Sequence, residues 1–212
     1  MSDIMDITGF ILSGSLITIQ LFFITAIFSI PLGCLVALGK ISKIKPIKAI
    51  LSLYTWAFRG TPLLLQLFFT YFGLPVIGIR LSPLAAASIA FTINYAAYLA
   101  EIFRSGIESI GKGQFEASKV LGMNYCQTMI KIIIPQAIRN VIPPVCNESI
   151  NLIKDSALVA TIGVGDLLRA AKEVVTRDFT ITPFIIAAIL YLILTSVLVM
   201  GFRKLEQKYS IN

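Results

Sequence analysis

Glu116-Ala117-Ser118-Lys119-Val120-Leu121-Gly122, followed by Ile132-Ile133-Ile134-Pro135, is a polar interruption in a chain that is otherwise mostly apolar. What flanks it fixes the fold class. Of 212 residues, 57% are hydrophobic and 14% are charged, and mean hydropathy is +0.86. That much apolar surface cannot be hidden in one soluble core of this length, so the chain belongs in a bilayer. A crossing helix needs about 20 apolar residues, and such segments can be drawn at residues 7–38, 47–74, 83–103, 138–158 and 180–202. The chain is therefore read as all-α: a single integral membrane domain over residues 1–212, with five transmembrane helices and polar insertions at 104–135 and 156–178. No soluble domain, low-complexity segment or internal repeat is visible.

Lys and Arg decide the orientation. The first loop carries Lys40, Lys43, Lys45 and Lys48 without an acid, the third carries Arg104, Lys112 and Lys119, and the tail carries Arg203, Lys204 and Lys208. By the positive-inside rule these segments are cytoplasmic. The fourth loop is ambiguous alone, because Lys154, Arg169, Lys172 and Arg177 are balanced by Asp155, Asp166, Glu173 and Asp178. An odd number of spans and three basic segments set the N terminus outside and the C terminus inside. The first apolar run is too long for a signal peptide and lacks a basic n-region, so an uncleaved first span is expected. The net charge of +7 is then topological, and nucleic-acid binding is disfavoured because the basic residues flank apolar spans. Cys34, Cys126 and Cys146 are scattered without a CxxC and read as small, reduced helix residues.

The inner insertion reads as two short helices joined at a glycine. Gly113 can cap a helix whose third position is Glu116, where a carboxylate meets free amides and the positive end of the dipole. Gly122 ends that helix, since glycine takes a left-handed conformation without steric cost. Asn124, with Gln127 three residues on, can cap a second helix as a capping box. Ala117, Val120 and Leu121 fall at i, i+3 and i+4 and form a small apolar stripe that needs a partner.

The spacing Glu-Ala-small, then Gly122, then Ile-x-aliphatic-Pro resembles the cytoplasmic signature loop of the membrane subunit of bacterial ABC importers. Upstream, Arg59-Gly60-Thr61-Pro62-Leu63-Leu64-Leu65-Gln66-Leu67-Phe68-Phe69 resembles the second-span signature of the polar amino acid permeases, the histidine, arginine and glutamine group. The resemblance implies a type I importer permease fold in the cytoplasmic membrane of a prokaryote. It implies an ABC ATPase dimer as partner, docking on Glu116, Ala117, Val120, Leu121 and Gly122, and a second permease copy or close homologue to close the path. It also implies an extracytoplasmic amino acid-binding protein or domain, for which residues 163–178 are the natural surface. Ser118 stands where the family commonly has alanine; the residue is small, so docking is not in doubt.

Candidate site residues lie within the spans. Thr61 and Pro62 read as a cap and a first-turn proline that break the second span at residues 59–61, and Arg59 is assigned to structure rather than substrate contact. Asn94, Tyr98 and Glu101 recur at i, i+4 and i+7 on one face of the third span. Asn94 and Tyr98 are candidates for lining a pathway or for interhelical hydrogen bonding, while Glu101 is read as a structural ion pair with Arg104. In the fourth span Glu148, Asn151 and Asp155 share a face, with Asn147 and Lys154 beside them. At about 1.5 Å per residue from Arg139, Glu148 lies roughly 13 Å deep, near the bilayer midplane, where an acid is a functional hypothesis by default. Lys154 with Asp155 reads as a solvated pair.

A midplane carboxylate attracts an ammonium or guanidinium, which points to a basic amino acid; a neutral polar one whose α-amino group meets Glu148 stays open. There is no GxxxxGK[ST] and no histidine, so ATP hydrolysis is not expected of this chain, nor is any catalytic residue, metal or cofactor. The rival reading is an ion-coupled secondary amino acid transporter, with Glu148 and Asp155 as cation sites. It leaves the Ala117 to Leu121 stripe without a purpose.

Overall fold

In the computed structural model, which describes residues 4–209, every element is helical. The first helix, α1 (Ile4–Ile41), buries Gly14, Thr18, Leu21, Thr25 and Ser29 at three- and four-residue steps, a single stripe along the helix. Its most extensive partner is α4 (Pro83–Glu108), whose buried positions include Ala86, Ala87, Ala90, Ala96, Ala97 and Ala100. In lipid no hydrophobic force drives helices together, so such small residues provide close van der Waals contact. Ser82 opens α4 by accepting from the Ala85 amide at 3.3 Å, and Pro83 takes the first turn, where its missing N–H costs nothing.

The second expected span is broken. Helix α2 (Lys45–Gly60) and the segment of α3 (Leu63–Phe68) with its π and 3-10 continuation to Ile77 meet at an angle of 103°. The break falls at the Arg59 to Thr61 segment, as its residues indicate. The capping differs by one position: Pro62, not Thr61, precedes α3, and the Pro62 carbonyl receives the Leu65 and Gln66 amides. Thr61 instead closes α2, its hydroxyl donating to the Ala57 carbonyl at 2.8 Å.

The 104–135 insertion folds as α5 (Lys112–Val120), α6 (Tyr125–Thr128) and a π turn at Met129–Ile133, which runs into α7 (Ile134–Asp155) with Pro135 in its first turn. A 3-10 turn, Ser156–Ile162, leads to α8 (Leu167–Asp178) and then α9 (Thr182–Tyr209). Read from the residues as a polar insertion, this stretch instead holds α8, a 12-residue helix that follows the Asp166 cap and buries Leu167, Ala170, Ala171 and Val174 at helical spacing, packed against α1 and α9.

Length and apolarity alone mark α1, α4 and α9 as able to cross a membrane, and a fourth crossing if the bent α2–α3 pair counts as one span. Helix α7 is long enough at 22 residues, but its Arg139, Asn147, Glu148, Asn151, Lys154 and Asp155 keep it from standing out as an apolar span. The described helices overrun the expected limits at most ends; α1, for example, continues to Ile41 and carries Lys40 in its last turn.

Candidate functional site

The break between α2 and α3 forms one wall of a cavity of about 610 Å³, lined there by Arg59, Gly60, Thr61 and Pro62. Helix α4 adds Asn94, Tyr95 and Tyr98, and α7 adds Glu148, Asn151 and Asp155. All five side chains singled out as substrate candidates thus border one space.

They are not equivalent. Asn94 is buried, and its amide donates at 3.0 Å to both the Phe58 carbonyl and Gln66 Oε1. Gln66 in turn donates to Thr61 Oγ1 at 2.8 Å and to the Phe58 carbonyl at 2.9 Å. A chain break leaves backbone groups without helical partners, and in an apolar setting each must be satisfied; Asn94 and Gln66 serve the freed Phe58 and Thr61 groups. Asp155 accepts from the Tyr95 hydroxyl at 2.7 Å. Lys154 is exposed and forms no ion pair among the described residues, so the expected Lys154–Asp155 pair is replaced by Tyr95–Asp155. Asn147, like Lys154, is exposed and borders none of the cavities described, because at i−1 from Glu148 it turns toward another side of α7.

Glu148 is the one acid in the cavity wall with neither an ion pair nor a tyrosine partner among the described residues. Opposite it, the Arg59 guanidinium lies 5.3 Å over the centre of the Tyr98 ring, a cation–π distance. Arg59 Nη1 is 4.0 Å from Glu101 Oε1. Arg59, assigned from the sequence to structure rather than substrate contact, therefore reaches a carboxylate and also borders the cavity. A second space of about 510 Å³ shares Arg59, Tyr98 and Glu148 and extends past Arg104 to Ser109 and Asn140. The two form a polar groove between α4 and α7.

Glu101 does pair with Arg104, at 2.8 Å, and also with Lys40. Lys40, expected in the basic first loop, is 7% exposed at the end of α1. Tyr95 is not singled out in the sequence, and Gln66 and Lys40 are named there only as part of the second-span signature and of the basic first loop. Tyr95 and Gln66 carry a weak signal, as polar groups in apolar helices; Lys40 carries none, because a helix-end lysine looks the same whether it snorkels or folds inward.

At the other end, Glu116, Ala117, Val120, Leu121 and Gly122 are all exposed. Helix α5 begins earlier than expected, with Gly111 rather than Gly113 in the cap position and Glu116 fifth rather than third, beyond the first-turn amides. Its end is as expected. Gly122 has φ +71°, its amide donates to the Lys119 carbonyl at 3.0 Å, and the Met123 amide donates to the Ser118 carbonyl at 3.0 Å, the pair of bonds that defines a Schellman motif. Asn124 and Gln127 form the reciprocal capping box. Ser118 faces inward, buried, with its hydroxyl donating to the Gln114 carbonyl at 2.7 Å.

A helical membrane protein with a polar groove between two long helices and a capped, apolar-faced helix on one surface has the form of a transport permease. The chain belongs to the family described as the binding-protein-dependent transport system inner membrane component, matched over residues 29–211. It is 41% identical to the arginine transport system permease protein ArtQ of Bacillus subtilis over 205 residues, 96% of this chain and 94% of that protein. It is 39% identical, with the same coverage, to a putative glutamine transport system permease protein GlnP of Rickettsia conorii. To the L-cystine transport system permease protein TcyB of Bacillus subtilis it is 40% identical, covering 93% of this chain and 86% of that one. The crystal structure of an amino acid ABC transporter with histidines matches at a TM-score of 0.90 and 37% identity, covering 98% of this chain and 99% of that one. The methionine transporter MetNI, at 0.77 and 19%, shares the fold. The chain is thus an inner membrane component of a binding-protein-dependent transport system, in the all-helical type I permease fold.

Proposed function

We propose that this chain is the membrane half-path of an ATP-driven importer of polar amino acids, favouring those with a cationic side chain, and that it works by alternating access. The observation that carries the substrate preference is Glu148: a carboxylate in the groove wall, beside Asn151, without an ion pair among the described residues. A substrate ammonium or guanidinium supplies the missing charge, and such a bond gains strength where water is scarce. Asn151, Asp155 and Tyr98 complete the contacts, with Asn94 acting through the chain break that it holds. The arginine and glutamine named for the relatives share the α-amino group and differ in side-chain charge, so Glu148 is assigned to the cationic end.

Helix α5 docks on an ABC ATPase dimer, which does the hydrolysis, through Glu116, Ala117, Val120, Leu121 and Gly122. Both groove walls connect to it: α4 leads into α5 through Ser109 to Gly111, and α5 packs on the turn that opens α7. Closure of the ATPase pair at α5 therefore moves both walls. Residues 1–212 act as one permease domain with the coupling loop at 104–135 inside and the 156–178 insertion outside, the N terminus outside and the C terminus inside. A second copy or close homologue completes the path, and the outer insertion meets the extracytoplasmic binding protein. An ion-coupled carrier has no use for a capped helix with exposed Val120 and Leu121.

Uptake into proteoliposomes tests the assignment. Glu148→Gln is expected to lower arginine uptake at least tenfold and glutamine uptake far less. Equal loss for both, or none for either, sinks the role given to Glu148.

A further inference from the structure

Glu101 is far better connected than a structural pair requires. One oxygen, Oε1, is held by Lys40 from the end of α1 and by the Thr55 hydroxyl of α2, which donates at 3.0 Å; Lys40 also donates to Thr55 at 2.6 Å. The other, Oε2, accepts from Arg104 Nε and pairs with its Nη2, both at 2.8 Å, one turn further along α4. Arg104 also pairs with Glu108, the last residue of α4. At the opposite end Arg59 Nη1 stands 4.0 Å from Glu101, with its guanidinium over Tyr98 in the cavity wall. Ion pairs thus run without a gap from the cavity rim to the last turn before the coupling helix, and on the way they fasten three helices.

We infer that Glu101 and Arg104 are positioning residues that tie the position of α5 to the shape of the cavity, resting on the docking role proposed for α5. Charges held at low exposure, 8% for the Lys40 side chain and 16% for that of Glu101, cannot part without leaving the lysine ammonium buried and uncompensated. The cytoplasmic ends of α1, α2 and α4 therefore move as one body. A displacement delivered through Glu108 and Arg104 shifts Glu101, and with it the carboxylate toward which Arg59 leans. Arg104 is suited to this because a planar guanidinium can hold two carboxylates at once, which a lysine ammonium does with less geometric definition.

The permease is reconstituted with its ATPase subunit and binding protein, and three quantities are read: bound ATPase, uptake, and substrate moved per ATP hydrolysed. Arg104→Gln, at a partly exposed position that the fold tolerates, cuts the relay while leaving Lys40 on Glu101. It is expected to keep the ATPase bound and to lower the transport-to-hydrolysis ratio at least fivefold, with Arg104→Lys restoring part of it. The double variant Lys40→Met with Glu101→Gln removes both buried charges together and is expected to lose coupling at least tenfold. A wild-type ratio in Arg104→Gln overturns the relay. An unmodified permease that binds no ATPase overturns instead the docking role on which it rests.

Discussion

Helices α8 and α5 occupy the two insertions, are 12 and 9 residues long, and each carries an apolar face, yet only α8 spends that face within its own chain. Asp166 caps α8, its carboxylate accepting from the Leu168 amide at 3.2 Å, the Arg169 amide at 3.0 Å and the Tyr191 hydroxyl of α9 at 3.3 Å, at 0% exposure. Leu167, Ala171 and Val174 then join Ile7 and Ile11 of α1 in a core. Helix α5 is capped equally well at its C-terminal end, but Val120 is 88% exposed and Leu121 78%. An insertion that folds onto the bundle is part of the scaffold. One whose backbone is fully organised while its apolar side chains stand in solvent is preformed for another molecule, because ordering it on binding would otherwise weaken the contact.

The largest test of that contrast replaces both exposed side chains, Val120→Asp with Leu121→Asp. Central interface side chains are each worth about 2–4 kcal/mol, roughly 30- to 1000-fold in affinity, so copurification of the ATPase is expected to be lost. The melting temperature should stay within about a degree or two, since exposed substitutions usually change stability by no more than about 0.5 kcal/mol. An ATPase that still copurifies with this variant would assign docking elsewhere.

Gly14→Ala strikes the other side of the comparison with a smaller, opposite signature. A Cβ on Gly14 would stand 2.7 Å from the Asp166 carbonyl oxygen and 2.9 Å from the Leu167 amide nitrogen. These are backbone atoms that cannot rotate aside. Overpacking of this kind costs about 1–3 kcal/mol, expected as a lowered melting temperature in detergent with ATPase binding retained. Unchanged melting would mean that α8 is not fastened to α1.

The same contrast explains what can be read from the residues alone. The caps of α5 and α6, the left-handed Gly122 and the break after Arg59 are local: a short sequence dictates them, and the structure follows, with the N-terminal caps of α3 and α5 off by one or two positions because several residues there can serve. The convergence of Asn94, Tyr98, Glu148, Asn151 and Asp155 is also legible, because polar side chains in lipid must face protein or water and helical spacing says which share a face. What escapes is non-local. The inward turn of Lys40, the Tyr95–Asp155 bond and the packing of α8 all depend on which helices become neighbours. For α8 the mixed charges of Arg169, Lys172, Glu173 and Arg177 read as a polar surface insertion, and its apolar face is too short to stand out.

The smallest effect concerns Asp166, where the 156–178 insertion carries something the 104–135 insertion lacks among the described residues, a fully buried carboxyl. Burial pushes its pKa above the ordinary carboxylate value, against the opposing pull of the Arg169 and Leu168 amides and the Tyr191 hydroxyl. The folded chain therefore binds this proton more tightly than the unfolded chain does. The stability contributed by that difference is complete below the unfolded pKa and is lost as pH rises through the raised folded value. Asp166→Asn keeps an oxygen for the Arg169 amide, the cap bond at 3.0 Å, and turns its NH2 toward the Tyr191 hydroxyl, which can accept; it gives up the longer Leu168 bond but has no charge to desolvate. Melting temperatures taken from the ordinary carboxylate range up to neutrality should thus fall with pH more steeply for the unmodified chain, leaving Asp166→Asn equal or more stable by up to about 1 kcal/mol at neutral pH. Asp166→Ala, which loses the cap, should be less stable by about 1 kcal/mol throughout. Parallel profiles for the unmodified chain and Asp166→Asn would mean that the α8 cap holds its carboxylate without strain, and the 156–178 insertion would then be fastened by Gly14 and the apolar core alone.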